Sequence, residues 1–297
     1  MLALMIGGLV SLPALAMSGN GPLELLPSSP WQIDYAEDQC RLARQFGTDG
    51  NEVILILDRF QPGETFRITL RGSRLSWRDR PSKIHVRFGP DEVDQEVSFL
   101  AAEFPGKVPG LITGGQVRIA PNPEKEAAKD TEHDHWKTVD RAPIGSAREA
   151  AVTYIEFGEP LRKPLRLKTG SMGDAMAALT TCTDQLLTTW GLDIEKHKSL
   201  SRPVTPAANP GKWVLASDYP ASAVTNGNNG LVAFRLDVDT SGKPTKCHIQ
   251  QTLNPDLFQR AVCATVMKRA KFLPALDAAG QPVASYWANT VRFEVPR

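Results

Sequence analysis

The sequence predicts an α+β protein with two domains. Its 297 residues are enough for about two hydrophobic cores, and 41% hydrophobic with 23% charged residues is typical of a chain that folds. Short segments that alternate apolar and polar residues indicate strands, and two longer segments with apolar residues at three-to-four spacing indicate helices. We therefore expect a β-rich N-terminal domain closed by a helix. A module with a three-stranded antiparallel sheet, one long helix and a short helix should follow.

Composition and motifs argue against several functional classes. The formal net charge is only +1, so the chain lacks the positive excess that favours nucleic acid or anionic lipid. It has no Ser or Cys nucleophile motif with a histidine and an acid, no HExxH, no phosphate-binding loop and no GxGxxG. His85 and His248 lie on predicted strands and are more simply strand-face residues than bases. We expect no enzymatic activity, no catalytic residue, no cofactor and no small-molecule substrate.

The first 16 residues have the features of a secretory signal peptide. They carry no charge, and Ala14 and Ala16 form a small-x-small cleavage site. The segment is shorter than the roughly 20 apolar residues that a membrane-spanning helix needs. No Lys or Arg precedes the apolar run, which indicates a start assigned too late or a weak n-region; a buried N-terminal strand or helix is the alternative. We expect export, with cleavage after Ala16.

The cysteines fit an oxidising compartment. None lies in a CxxC pair, so a zinc site is not favoured, and two disulfides are the simpler interpretation. Four cysteines allow three pairings. They are Cys40, Cys182, Cys247 and Cys263.

The pattern of apolar and polar residues alone predicts that residues 31–194 form the β-rich domain, which is a sheet or a sandwich with one helix. Apolar runs and period-two alternation predict its strands. A helix follows at 171–190, and its apolar stripe includes Cys182. Because Cys40 lies in an early predicted strand, a Cys40–Cys182 bond would attach the closing helix to that strand. The predicted strands are 40–46, 53–57, 65–70, 83–88, 116–119 and 152–157.

Residues 121–149 are charged and nearly free of apolar side chains, so we expect a long exposed loop. The loop contains the run Glu132-His133-Asp134-His135, which has the residue types of a metal site. In a solvated charged loop such a run is more often plain surface. We therefore expect no metal site there.

Residues 195–212 are polar and contain three prolines, which is typical of a linker. The module that follows, residues 213–297, is predicted in the order short helix, strand, strand, helix, strand. The short helix starts at Tyr219-Pro220, since proline is tolerated in a first helical turn.

Two strands of the module are predicted to form a hairpin. In 231–239, apolar residues alternate with charged ones, and 240–243 supplies the turn. The return strand, 244–252, should place Cys247, Ile249 and Gln251 on one face. The apolar face of the first strand consists of Val232, Phe234, Leu236 and Val238.

The long helix of the module should start at Asn254-Pro255, where asparagine caps and proline takes the first helical position. Cys263 lies on its apolar stripe, so Cys247 and Cys263 both point between the sheet and the helix. Their bond would close a loop of about 15 residues and stabilise by roughly 3 kcal/mol. The last strand, 286–295, alternates Trp287, Asn289, Val291, Phe293 and Val295 against polar neighbours.

The C-terminal quarter resembles the TonB C-terminal domain. The resemblance depends on the joint order and spacing of several short motifs, none decisive alone. They are Tyr219-Pro220, Ala223, Gly230-x-Val232-x-Phe234-x-Leu236-x-Val238, Gly242, Lys271-Phe272-x-Pro274-Ala275 and Gly280-x-Pro282-Val283.

The resemblance implies a periplasmic module that engages TonB-dependent outer-membrane receptors. In that family a short extended receptor segment pairs with the last strand, which adds a strand to the sheet through main-chain bonds. A different envelope protein is the alternative partner, and an open edge also allows a homodimer. The partner-binding residues carried over are Gln281, Pro282, Tyr286, Ala288, Thr290, Val291, Arg292 and Phe293.

Two features depart from an energy transducer of that family. The N-terminus resembles a cleaved signal rather than a membrane anchor, and a folded domain stands where a long proline-rich spacer is expected. We therefore expect a periplasmic binding or adaptor protein. The alternative is a genuine transducer that faces the periplasm from the inner membrane, with an N-terminal anchor that is uncleaved or lies upstream of Met1.

Overall fold

The computed structural model describes residues 21–77, 79, 81–114, 117–120, 143–253 and 255–295. The predicted signal peptide and the run at 132–135 lie outside the described residues. Within the described part of the chain, no helix is both long enough and apolar enough to cross a membrane.

The N-terminal part is built on one ten-stranded sheet that curls into a half-barrel. Neighbouring strands are antiparallel except for the parallel pair β1–β10. Their order across the sheet is β1-β10-β9-β6-β7-β8-β5-β4-β3-β2. The strands are β1 (Leu23–Leu25), β2 (Gln32–Tyr35), β3 (Cys40–Phe46), β4 (Val53–Arg59), β5 (Arg67–Gly72), β6 (Lys83–Phe88), β7 (Gln95–Phe104), β8 (Val108–Thr113), β9 (Ile155–Phe157) and β10 (Leu165–Leu167).

Strand β7 joins the two halves of this sheet. Its first residues pair with β6 and the rest pair with β8, so one long strand serves both halves. The sheet packs one face on a single apolar core, which helix α2 (Gly173–Thr189) closes. A shorter helix, α1 (Ser146–Ala151), precedes it. The structure contains the predicted Cys40–Cys182 disulfide, which links β3 to α2.

Several predicted strands match the structure, and others are displaced. The strands predicted at residues 40–46 and 83–88 coincide with β3 and β6 of the structure. The predicted strand 116–119 is wrong for its described residues, since Val117 makes only an isolated bridge to Phe66. The sheet also begins before residue 31, because β1 pairs with β10.

Residues between the two parts pack closely on the C-terminal module. Helix α3 (Ile194–Lys198) is followed by β11 (Thr205–Pro206), which pairs with β14 (Phe272–Leu273). Val204 is buried in the core of the module. Arg202 donates two hydrogen bonds to the carbonyl oxygen of Pro274, at 3.2 and 2.9 Å. Much of the polar, proline-containing stretch is thus held against the module.

The module has the predicted order of elements. Its three-stranded antiparallel sheet has the order β13-β12-β17, and apolar side chains on one face pack against α5. Two very short strands, β15 (Ala275–Leu276) and β16 (Pro282–Val283), pair beside it. The main elements are α4 (Ala221–Thr225), β12 (Gly230–Val238), β13 (Pro244–Leu253), α5 (Pro255–Arg269) and β17 (Ser285–Phe293). The predicted Cys247–Cys263 disulfide joins β13 to α5.

One face assignment in the module is wrong. Cys247 and Ile249 pack in the core as predicted, but Gln251 lies on the opposite face. The register shifts so that Ala233 pairs with Gln251 while the next residue, Phe234, pairs with Ile249. One extra residue in β13, a β-bulge, interrupts the two-residue period there.

The hairpin turn of the module requires glycine at position 242. Gly242 has φ +82°, and a Cβ there would lie 2.2 Å from the carbonyl oxygen of Phe272. We expect Gly242→Ala to lower the free energy of unfolding by about 2 kcal/mol or more, because the left-handed conformation costs about 1–2 kcal/mol and the contact forces the backbone to move. Urea denaturation measures this change.

Gly280 provides the matched control. It has φ +75°, but a Cβ there would meet nothing within 4 Å among the residues that the structure describes. Gly280→Ala should therefore carry the conformational cost alone, about 1 kcal/mol. Equal losses for the two variants would show that the close approach to Phe272 is unimportant.

Candidate functional site

The candidate site is the open side of β17. In the order β13-β12-β17 this strand lies at one edge, and in the described part of the chain no strand pairs with its other side. An edge of this kind presents backbone N–H and C=O groups that can pair with another chain.

The hydrogen bonds of β17 indicate which residues face this open side. The N–H of Thr290 donates to Oδ1 of Asn289 at 2.8 Å. In an antiparallel strand the N–H and C=O of one residue face the same neighbour, and successive residues alternate. Tyr286, Ala288, Thr290 and Arg292 should therefore direct their backbone groups outward, and the Asn289 side chain covers one of them.

A cavity of about 780 Å³ runs beside the first half of β17. Residues 285–289 form one wall. The loop at 61–63, helix α2 and helix α3 form the other, and the segment from Leu200 to Pro210 contributes a third side. The open edge therefore faces the N-terminal domain across a groove.

A second cavity of about 230 Å³ continues beside the rest of β17. It is lined by residues 289–292 of the strand and by Trp213 and Val214. Pro210, Trp287 and Asn289 line both cavities, so together they follow the strand from 285 to 292. We call this combined feature the β17 groove.

Comparison with protein families assigns the module. The model of the Gram-negative bacterial TonB protein C-terminal matches residues 216–295. These residues form a TonB C-terminal domain. The match covers the C-terminal part of the chain, and no curated protein matches the sequence.

The family sets the general role of this part. A TonB C-terminal domain is a non-catalytic protein-interaction module, and it implies a TonB-like role in energy transduction or receptor interaction. Such domains typically bind TonB-dependent outer-membrane receptors. The family and the two disulfides together suggest a location in the cell envelope.

Side chains on the outer face of the TonB C-terminal domain contact the N-terminal domain. Thr290 Oγ1 accepts a hydrogen bond from Arg67 at 2.9 Å, and Arg292 donates to the carbonyl oxygen of Phe99 at 3.1 Å. The ring of Tyr286 lies 4.9 Å from that of Trp190, and burial raises the pKa of its hydroxyl. These residues can offer a partner their backbone groups far more readily than their side chains.

The five other predicted partner-binding residues divide into three on β17 and two that lie apart from the groove. Ala288 is buried and lines the β17 groove. Val291 lines the groove and also packs against the core of the TonB C-terminal domain, and Phe293 is buried in that core. Gln281 and Pro282 line neither cavity. The N–H of Gln281 instead donates to Asp277 at 2.8 Å, and Pro282 lies in the separate β15–β16 pair. Six of the eight residues therefore share one strand, and two lie apart from the groove.

Arg235 also takes part in the contact between the domains, although the sequence placed it only among the charged residues that alternate along β12. Its side chain is 4% exposed, forms an ion pair with Asp237, and lies 3.4 Å from Asp38 of the N-terminal domain. Its guanidinium lies 4.3 Å from the centre of the Trp190 ring. A lone arginine in an otherwise alternating strand carries no sequence signal that distinguishes it from a solvated residue.

Helix α3 supplies a further contact at the groove. Nε2 of His197 lies 3.0 Å from Oγ of Ser285, and its ring stacks on Tyr286 at 6.3 Å. These contacts fix the position of α3 beside the first residues of β17. The part of the second wall that α3 forms is therefore held in place by side chains of β17.

Proposed function

We propose that the protein is a periplasmic binding protein whose TonB C-terminal domain receives an extended segment of a TonB-dependent outer-membrane receptor. The observation that carries this proposal is the β17 groove, which follows an open strand edge over residues 285–292. The segment adds to β17 as a further antiparallel or parallel strand.

The physical basis is main-chain pairing. An added strand lies about 4.8 Å from its neighbour and satisfies backbone groups that otherwise bond to water. Because the side chains of Tyr286, Thr290 and Arg292 already contact the N-terminal domain, most of the affinity comes from backbone bonds. The Asn289 side chain has to leave the Thr290 N–H when the segment binds.

Replacing Thr290 with proline tests this pairing. Proline removes the outward N–H at 290, and proline is tolerated on an edge strand when its nitrogen faces outward. We expect the variant to bind a synthetic receptor segment about tenfold more weakly than the original chain, since one receptor carbonyl loses its partner. Isothermal titration calorimetry with a peptide from the periplasmic end of a TonB-dependent receptor measures the affinity.

Thr290→Val is the matched control, because it keeps the N–H and removes only the hydroxyl that bonds Arg67. It should bind the peptide with unchanged affinity. If Thr290→Pro also binds normally while remaining folded, the edge of β17 is not the binding site. If the original chain does not bind the peptide at all, the proposed partner class is wrong.

Energy transduction by an anchored form is the second candidate, and the family match supports it as well, because the match implies a role in energy transduction or receptor interaction. The mass of the intact chain isolated from cell envelopes separates the two. A periplasmic species that begins at Met17, lighter by two hydrogens for each of two disulfides, supports the binding protein. A membrane species that retains residues 1–16 or extends upstream supports the transducer.

A further inference from the structure

A cavity of about 300 Å³ lies between the outer face of the N-terminal sheet and the ends of β12 and β13. It shares no lining residue with the β17 groove. Its polar wall comes from Arg41, Arg67 and Arg71, and apolar side chains from both domains complete it. Those that matter most here are Ile56, Phe104 and Leu253.

The positive charge at this cavity is not balanced by the described residues. Asp58 forms two hydrogen bonds with Arg41, at 2.7 and 3.2 Å, and so neutralises that arginine. Asp58 is also the cross-strand neighbour of Arg67 and its charge acts on that arginine, so Arg41 and Arg67 share one buried carboxylate. In the described part of the chain no carboxylate forms an ion pair with Arg71. The guanidinium of Arg71 lies 5.8 Å from the centre of the Phe104 ring.

Arg67 is the most deeply buried of the three. It is 2% exposed, and its terminal nitrogens donate to Gln251 at 2.6 Å and Thr290 at 2.9 Å. Its Nε has no acceptor among the described residues. Burial lowers the pKa of Arg67 to about 10, so it stays charged at neutral pH.

Arg67 shares Asp58 with Arg41, and a buried charge that is only partly balanced is costly, because native proteins normally pair such groups. Arginine binds carboxylates well because its planar guanidinium offers several donors in a fixed geometry. The apolar side of the cavity suits a hydrocarbon group. Its volume corresponds to about ten water-sized groups, since one water occupies about 30 Å³ of liquid.

We propose that this cavity binds a small organic anion with a carboxylate head and an apolar tail. The carboxylate lies between Arg71 and the other two arginines, and the tail packs on Ile56, Phe104 and Leu253. Such a ligand contacts both domains and strengthens their contact. A medium-chain carboxylate such as octanoate has the required size and chemistry.

Calorimetric titration of the full oxidised chain with octanoate tests the proposal. We expect saturable binding with one octanoate per chain. Octylamine, which has the same tail and the opposite charge, and inorganic phosphate, which has no tail, should each bind at least tenfold more weakly. Arg71→Gln should weaken octanoate binding about tenfold or more, because it removes a charge-assisted hydrogen bond.

Arg74→Gln is the matched control, because Arg74 is exposed in the turn after β5 and does not line the cavity. It should leave octanoate binding unchanged. No binding of octanoate, equal binding of octylamine or phosphate, or an unaffected Arg71→Gln variant would each overturn the proposal. Receptor-peptide binding at the β17 groove is measured separately, so neither result decides the other.

Discussion

Replacing Cys40 and Cys182 together with alanine is expected to lower the free energy of unfolding by about 5 kcal/mol. The bond spans 142 residues, and in the chain-entropy model the stabilisation by a disulfide grows with the loop that it closes. Cys40 starts β3 and Cys182 lies in α2, and both are buried. Without the bond, apolar packing and the hydrogen bond from Arg59 of β4 to Thr180 of α2, at 2.9 Å, hold the closing helix against the sheet.

The second disulfide is an internal comparison for this prediction. Cys247 and Cys263 are separated by 16 residues, for which the same model gives about 3 kcal/mol. Urea denaturation of the two double-alanine variants should therefore show the larger loss for Cys40 and Cys182. An equal or reversed order would mean that strain or residual structure in the unfolded chain outweighs loop closure.

Removing the Cys40–Cys182 disulfide should also affect binding at the β17 groove. Asp184 and Leu187 of α2 line the β17 groove, so a helix held less firmly widens one wall of the proposed binding site. The Cys40–Cys182 variant should therefore also bind the receptor peptide more weakly, in proportion to the mobility of α2. Hydrogen exchange along residues 173–189 reports that mobility.

The TonB C-terminal domain could be predicted closely because its signals are local. Alternation over β12, the turn at Gly242 and the Pro255 helix start each act within a few residues, and all agree with one another. The buried faces of β13 and α5 also brought Cys247 and Cys263 together. Elements of this kind can be predicted without knowing how the rest of the chain folds.

The bulge in β13 could not be predicted from the same pattern. Gln250 and Gln251 both bond to the N-terminal domain, Gln250 to the carbonyl oxygens of Asp38 and Phe60, and Gln251 to Arg67 and Asp58. Two consecutive polar side chains on one face require an extra residue. A strict two-residue period assigns them to opposite faces, and only the interdomain contact explains the exception.

The hairpin of β7 and β8 was missed for a different reason. Pro109 and Gly110 interrupt the apolar pattern of β8, and such a pair is typical of a turn. Gly110 is nevertheless required within the strand, because a Cβ there would lie 2.5 Å from the ring of Phe104 and 2.6 Å from the carbonyl oxygen of Leu70. Close approach between strands, which depends on the folded sheet, explains this glycine.

The β17 groove also lay beyond sequence reasoning. Its strand was predicted, but its opposite wall comes from residues 61–63, 184 and 187, far away in the chain. The family pattern also carried over Gln281 and Pro282, which the fold places outside the groove. Sequence could thus indicate which strand is open but not what faces it.

Arg235→Met is expected to lower the free energy of unfolding by about 3 kcal/mol. Breaking a buried ion pair costs about 3–5 kcal/mol, and we take the lower value because Asp38 and Asp237 are 25% and 36% exposed. The variant also loses the stacking of the guanidinium on Trp190. Urea denaturation followed by tryptophan fluorescence measures the change.

Lys268→Met is the control, since Lys268 is exposed on α5 and its loss removes the same charge at a cost within about 0.5 kcal/mol.

The same two variants also test whether Arg235 joins the two domains, apart from its effect on overall stability. If Arg235 holds the domains together, its loss should split unfolding into two transitions, and the receptor peptide should bind more weakly because one wall of the β17 groove is no longer fixed. A single transition with unchanged peptide affinity would mean that the other contacts, at Arg67 and Arg292, suffice to join the two domains.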